Sequence, residues 1–118
     1  MGHHFLKRET MLIAVALLIV STWTIASAEE VKLQGMIMNI DLRQNTMVVN
    51  EKTFTWDQGT AIFDDRSSPI TLDRFKQTAW VYIQGEKNEN YKIKIRKIYL
   101  LPRQIFRKER PLYPFMDE

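Results

Sequence analysis

The chain of 118 residues contains no cysteine, and its only histidines are His3 and His4. The first absence excludes a disulfide framework, a thiol nucleophile and a thiolate metal site. The excess of one sign of charge is also small. A net charge of +3 over this length does not by itself point to a nucleic-acid partner. The oxygen-rich spacing of a calcium loop is missing, and Asp64-Asp65 read as ordinary turn carboxylates. Ser67 and Ser68 sit in a polar loop beside Pro69, outside any strand-to-helix nucleophile context, and read as loop residues. No facing carboxylate pair is set up for glycoside chemistry.

The first segment has the three parts of a secretory signal. Lys7 and Arg8 precede an uncharged run, strongly apolar from Met11 to Val20, which closes on Ala26-Ser27-Ala28 before Glu29-Glu30. The expectation is a signal-peptide helix over residues 1–28, cleaved after Ala28. The alternative is an uncleaved inner-membrane anchor, although the apolar part is shorter than the roughly 20 residues of a spanning helix. No cysteine follows the run, so a lipoprotein anchor is excluded. Cleavage removes both histidines and leaves a remainder close to neutral, without the residues of a usual catalytic triad. The chain is therefore expected to be exported, periplasmic or extracellular. Its expected contact with a membrane is transient, through the signal. No enzymatic activity and no cofactor are expected.

What is present is β-periodicity. The clearest is in residues 79–101. Val81 and Ile83 alternate with Trp80, Tyr82 and Gln84; after a polar turn, Tyr91, Ile93 and Ile95 alternate with Lys92, Lys94 and Arg96. Ile98 and Leu100 fall out of phase with Ile93 and Ile95, which predicts a bulge near Arg96-Lys97. Upstream, residues 31–40 read as one long strand bent at Gly35. Asp41 to Asn45 form a turn, residues 46–50 a second strand, and Glu51-Lys52 a tight connection. A third strand covers residues 53–57 and resumes at 60–63. Thr71 reads as the N-cap of a short helix carrying Leu72 and Phe75. Five short strands that must hide their edges curl and close. The expected interior is Leu33, Ile37, Ile40, Val49, Phe54, Trp56, Ile62, Leu72, Phe75, Val81, Ile83, Ile93, Ile95 and Ile98.

These residues form a pattern: Gly35-x-Ile37-x-x-Ile40-Asp41, Asn45-Thr46-x-Val48-Val49, Thr60-x-Ile62, Ile70-x-Leu72-x-x-Phe75, and Trp80-Val81-Tyr82-Ile83-x-Gly85. The pattern resembles the small exported bacterial barrels grouped as a domain of unknown function, and covers roughly Val31 to Leu101. The resemblance implies a mainly β fold: a five-stranded OB-like barrel with one short helix between strands 3 and 4. It implies no catalytic residue. The organisation expected is signal peptide 1–28, barrel 29–101 and a basic, aromatic tail 102–118.

Two surfaces are candidates for binding. With Val81, Ile83, Ile93 and Ile95 inward, Trp80, Tyr82, Lys92, Lys94 and Arg96 share the outer face, where aromatic and basic groups can hold sugars, bases or phosphates. The plainer reading covers Trp80 with the short helix or the tail and uses the basic residues as edge guards. The tail offers Arg103, Phe106, Arg107, Tyr113 and Phe115 as an arm for docking on a partner or anionic surface. Equally, it wraps its own barrel and buries Phe106 or Tyr113. Pro111 and Pro114 forbid a regular helix beyond Arg110. The function expected is a binding or accessory module of the bacterial cell envelope. Its partner is an envelope protein, polysaccharide or anionic surface. A structural subunit joined by strand addition is the alternative, and a nucleic-acid-binding domain is disfavoured.

Overall fold

A computed structural model describes residues 28–88, 90 and 92–117; residues 1–27 of the expected signal peptide 1–28, together with Glu89, Tyr91 and Glu118, lie outside the described residues. Six strands follow in order: β1 (Glu29–Asp41), β2 (Thr46–Val49), β3 (Lys52–Thr55), β4 (Ala61–Phe63), β5 (Trp80–Lys87) and β6 (Ile93–Leu101). They form one sheet in the order β3-β2-β1-β5-β6-β4, and β3 also pairs with β6, which closes the ring. Both β3 and β4 run parallel to β6, through Phe54↔Ile93 and Ile62↔Ile98. They are the two halves of the interrupted third strand. In the gap, the Thr60 hydroxyl donates to the Ile95 carbonyl at 2.6 Å and so continues the contact with β6. Long bent first strand, parallel closure of third on last, and a short helix between third and fourth are the topology of an OB barrel.

The bends fall where small residues and phase slips put them. β1 pairs with β5 from Glu29 to Met36 and with β2 from Ile37 onward. Gly35 sits at this switch. A Cβ there would stand 2.6 Å from both Val49 Cγ1 and Asn50 Oδ1, so only glycine lets the two strands come this close. On β6, Gln84 pairs with Lys97 and Gly85 with Ile95, leaving Arg96 as the extra residue of the expected bulge. The bulge moves Ile98 into the same interior as Ile93 and Ile95. Every residue expected inside packs into this core, joined by Met47, which the alternation did not single out.

Two local expectations are corrected. The connection between β2 and β3 is Asn50-Glu51, both with positive φ (51° and 64°), as a two-residue hairpin turn requires. Thr71 does not cap a helix with its side chain. Its hydroxyl donates to the Asp73 carboxylate, and the element is a single 3₁₀ turn, Leu72–Arg74. One turn leaves too few unpaired N–H groups to favour a side-chain cap over this local bond.

Beyond β6 the chain folds back. Two 3₁₀ segments, Arg107–Leu112 and Pro114–Asp117, carry the tail across the outer face of the barrel. Pro111 is accommodated because these turns are short. The bonds that hold them are donated by Glu109, Tyr113 and Met116, not by the prolines. Tyr82, Tyr99, Leu101, Ile105, Phe115 and Met116 form a second buried cluster, with Phe63, Trp80 and Tyr113 against it. The end of the β5–β6 ribbon that carries Tyr82, Tyr99 and Leu101 is thus buried on both faces.

Candidate functional site

The outer hairpin face is not open. The Tyr99 ring lies between Phe63, at 5.1 Å, and Phe115, at 4.0 Å, in a near-parallel stack. Tyr82 tilts against Phe115 at 5.9 Å, and its hydroxyl donates to the Met116 carbonyl at 3.3 Å. Burial raises the Tyr82 phenol above its ordinary pKa. Gln84 is 3% exposed, and its amide donates to the Phe115 carbonyl at 3.2 Å. The tail therefore occupies the aromatic half of the expected binding face, with Trp80 half-buried at its margin. An aromatic platform open to sugars or bases is corrected to a second core, because Phe115 and Met116 take up that surface.

The basic half is largely internally paired. Lys94 Nζ stands 2.7 Å from Asp57 Oδ2. This contact lowers the Asp57 carboxyl and raises the Lys94 amine. Arg96 reaches Glu30 at 3.2 Å and Glu86 at 3.3 Å. All three pairs are exposed, so each contributes little to stability. Lys92 is different: it points to the end of the barrel.

The five tail residues separate. Phe115 is buried and Tyr113 half-buried on the barrel side. Arg103 makes a two-pronged pair with Glu109, with Nη1 to Oε1 at 2.7 Å, which holds the Glu109 carboxyl below its ordinary value. Phe106 and Arg107 face solvent. Sequence alone offered Phe106 or Tyr113 as the buried anchor. Phe106 is instead 59% exposed, and Ile105 beside it takes the buried place.

Among the described residues, one concave site is a cleft of about 430 Å³ at the barrel end. It is framed by the start of β1 (Glu29, Val31), the β2–β3 turn and β3 (Glu51, Lys52, Thr53, Thr55), the end of β5 (Lys87), and the β5–β6 connection with the start of β6 (Lys92, Ile93). Three lysines, two glutamates and two threonines line it, with Val31 and Ile93 as its apolar part. The size lies within the range of small-ligand sites. Of these residues, sequence alone singled out only Lys92 for binding. The others come from three remote segments, and no local spacing marks them. Among the described residues, no group of three or more histidine, aspartate or glutamate side chains is placed to hold a metal ion.

No family model matches the chain, and no curated protein matches it. Among solved structures, it is similar to the fimbrial biogenesis protein PilY2 of Pseudomonas aeruginosa PAO1. The TM-score is 0.48 and the identity 15%, over 61% of this chain and 87% of that one. The Ag(I) form of CusF from Escherichia coli gives a TM-score of 0.48 at 16% identity, over 64% of this chain and 95% of that one. Apo-CusF gives 0.47 at 16% identity, over 64% and 92%. Likeness at this level identifies no ligand. The barrel class rests on the strand order and parallel closure described above.

Proposed function

We propose that the chain is a non-enzymatic binding module exported to the bacterial cell envelope, and that the barrel-end cleft holds a segment of acidic polysaccharide. The observation that carries this reading is the composition of the cleft, which stays open while the outer face is covered by the tail. Lysine ammonium groups suit sugar carboxylates or phosphates. Threonine hydroxyls and glutamate carboxylates suit sugar hydroxyls. Val31 and Ile93 suit the C–H face of a pyranose ring. Export is supported by the signal-like residues 1–28. A structural subunit built by strand addition has less support, since β3 closes on β6 and the outer side of β4 is bridged by Pro69.

The test is native mass spectrometry of the chain recovered from its own envelope, as wild type and as Lys52→Glu/Lys92→Glu. The expected result is a non-covalent glycan adduct on the wild type that is lost from the variant. An adduct that survives both reversals, or a bare chain in both samples, overturns the reading.

A further inference from the structure

The tail leaves one feature that neither the barrel nor the cleft uses. Ile105, Phe115 and Met116 are buried, yet Phe106 and Leu112 are 59% and 76% exposed, the two most exposed large apolar side chains among the described residues. They bracket the 3₁₀ segment Arg107–Leu112, on which Arg107, Lys108 and Arg110 also face solvent. No ion pair among the described residues engages these three cations. The one acid in the segment, Glu109, is taken by Arg103. The patch therefore combines uncompensated positive charge with exposed phenyl and isobutyl groups.

The patch is also held in shape. Glu109 N donates to the Phe106 carbonyl at 2.8 Å, and Tyr113 N to that of Arg110 at 2.8 Å. The flanks are fixed by Ile105 on one side and by the Phe115 ring stack on the other. Two apolar side chains thus stand exposed on a tail that buries Ile105, Phe115 and Met116.

We propose that the segment Phe106–Leu112 docks the barrel on an anionic phospholipid surface. Arg107, Lys108 and Arg110 meet the headgroup phosphates, while Phe106 and Leu112 enter the acyl boundary. Charge complementarity and the pairing of cations with exposed apolar groups are the features that interfacial binding needs. A purely basic patch would serve a soluble polyanion equally well, but Phe106 and Leu112 add nothing to that. This site is separate from the cleft, and either stands without the other.

Sedimentation of the exported chain with lipid vesicles tests the proposal. Vesicles of phosphatidylcholine alone are compared with vesicles containing phosphatidylglycerol. Binding is expected on the anionic vesicles and weakens with added salt. Arg107→Glu/Lys108→Glu lowers it by at least about twenty-five-fold, at about fivefold for each cation lost. Phe106→Ala/Leu112→Ala lowers it by at least about a hundredfold. Because these side chains are exposed, both variants keep the wild-type melting temperature, and the barrel remains folded. Equal binding to neutral and anionic vesicles overturns the proposal, as does indifference to the charge reversals. Binding to soluble polyglutamate as tight as to anionic vesicles, with both unaffected by Phe106→Ala/Leu112→Ala, overturns it and assigns the patch to an acidic polymer instead.

Discussion

Gln34 on β1 closes two hydrogen bonds on the backbone of Ile105 in the tail: its Nε2 donates to the Ile105 carbonyl at 3.0 Å, and its Oε1 accepts from the Ile105 N–H at 2.6 Å. One side-chain amide thereby reproduces the donor–acceptor pair that a neighbouring strand would offer. It fixes which way the tail leaves β6, and so which of its apolar residues face the barrel.

Replacing Gln34 by alanine leaves the buried Ile105 N–H and carbonyl without partners. The expected cost is about 1–3 kcal/mol. Chemical denaturation gives the magnitude, and amide exchange at Ile105 gives the location. A variant as stable as wild type, with Ile105 still protected, contradicts the clamp.

Phe115 is 3% exposed and stacks on Tyr99. Phe115→Ala is expected to lower stability by about 3–5 kcal/mol, because the cavity opens in the second core. Truncation after Leu101 uncovers Tyr82, Gln84 and Tyr99 together and lowers the melting temperature further. If truncation left the melting temperature unchanged, the tail would be an appendage and not part of the fold.

Gly85 faces the bulge on β6, and a Cβ there would lie 2.4 Å from the Lys94 carbonyl oxygen. That oxygen belongs to the backbone and cannot step aside. Gly85→Ala is therefore expected to cost roughly 2–3 kcal/mol, measurable by thermal or denaturant unfolding. A neutral outcome would place the bulge elsewhere.

The pH dependence has two limbs. Asp57 and Glu109 have folded pKa values below their ordinary ones, set mainly by Lys94 and by Arg103. Their contribution is present above the unfolded carboxylate range, at roughly pH 4, and is lost as pH falls through the depressed values. Both pairs are solvent-exposed, so the effect is small and shrinks with salt. Tyr82 is raised by burial. Its contribution is complete below about pH 10 and is lost as pH rises through the higher folded value. Thermal melts across pH check both limbs: Asp57→Asn flattens the acid one, and Tyr82→Phe flattens the alkaline one.

The barrel was legible in the sequence because its determinants are local. The phase slip between Ile95 and Ile98 marks the bulge, and Gly35 marks the bend. Alternation places Val81, Ile83, Ile93 and Ile95 inside. The tail was not legible to the same degree. Phe106 and Phe115 have the same chemistry, and which is buried depends on long-range contacts: Gln34 on Ile105 across 71 residues, and Tyr99 and Gln84 on Phe115. The cleft was hidden for a related reason. Glu29, Lys52 and Lys92 meet only through the pairings of β1 with β5 and of β3 with β6.

The most direct test of the account is an amide-resolved NMR map of where an acidic ligand lands, with a short uronate oligosaccharide as probe. The account predicts shifts at Lys52, Thr53, Lys92 and Ile93, while the amides of Ile105, Phe115 and Met116 stay unmoved. Shifts centred on Tyr82, Gln84 and Phe115 would contradict it, because they would mean that the ligand displaces the tail and that the working surface is the outer face.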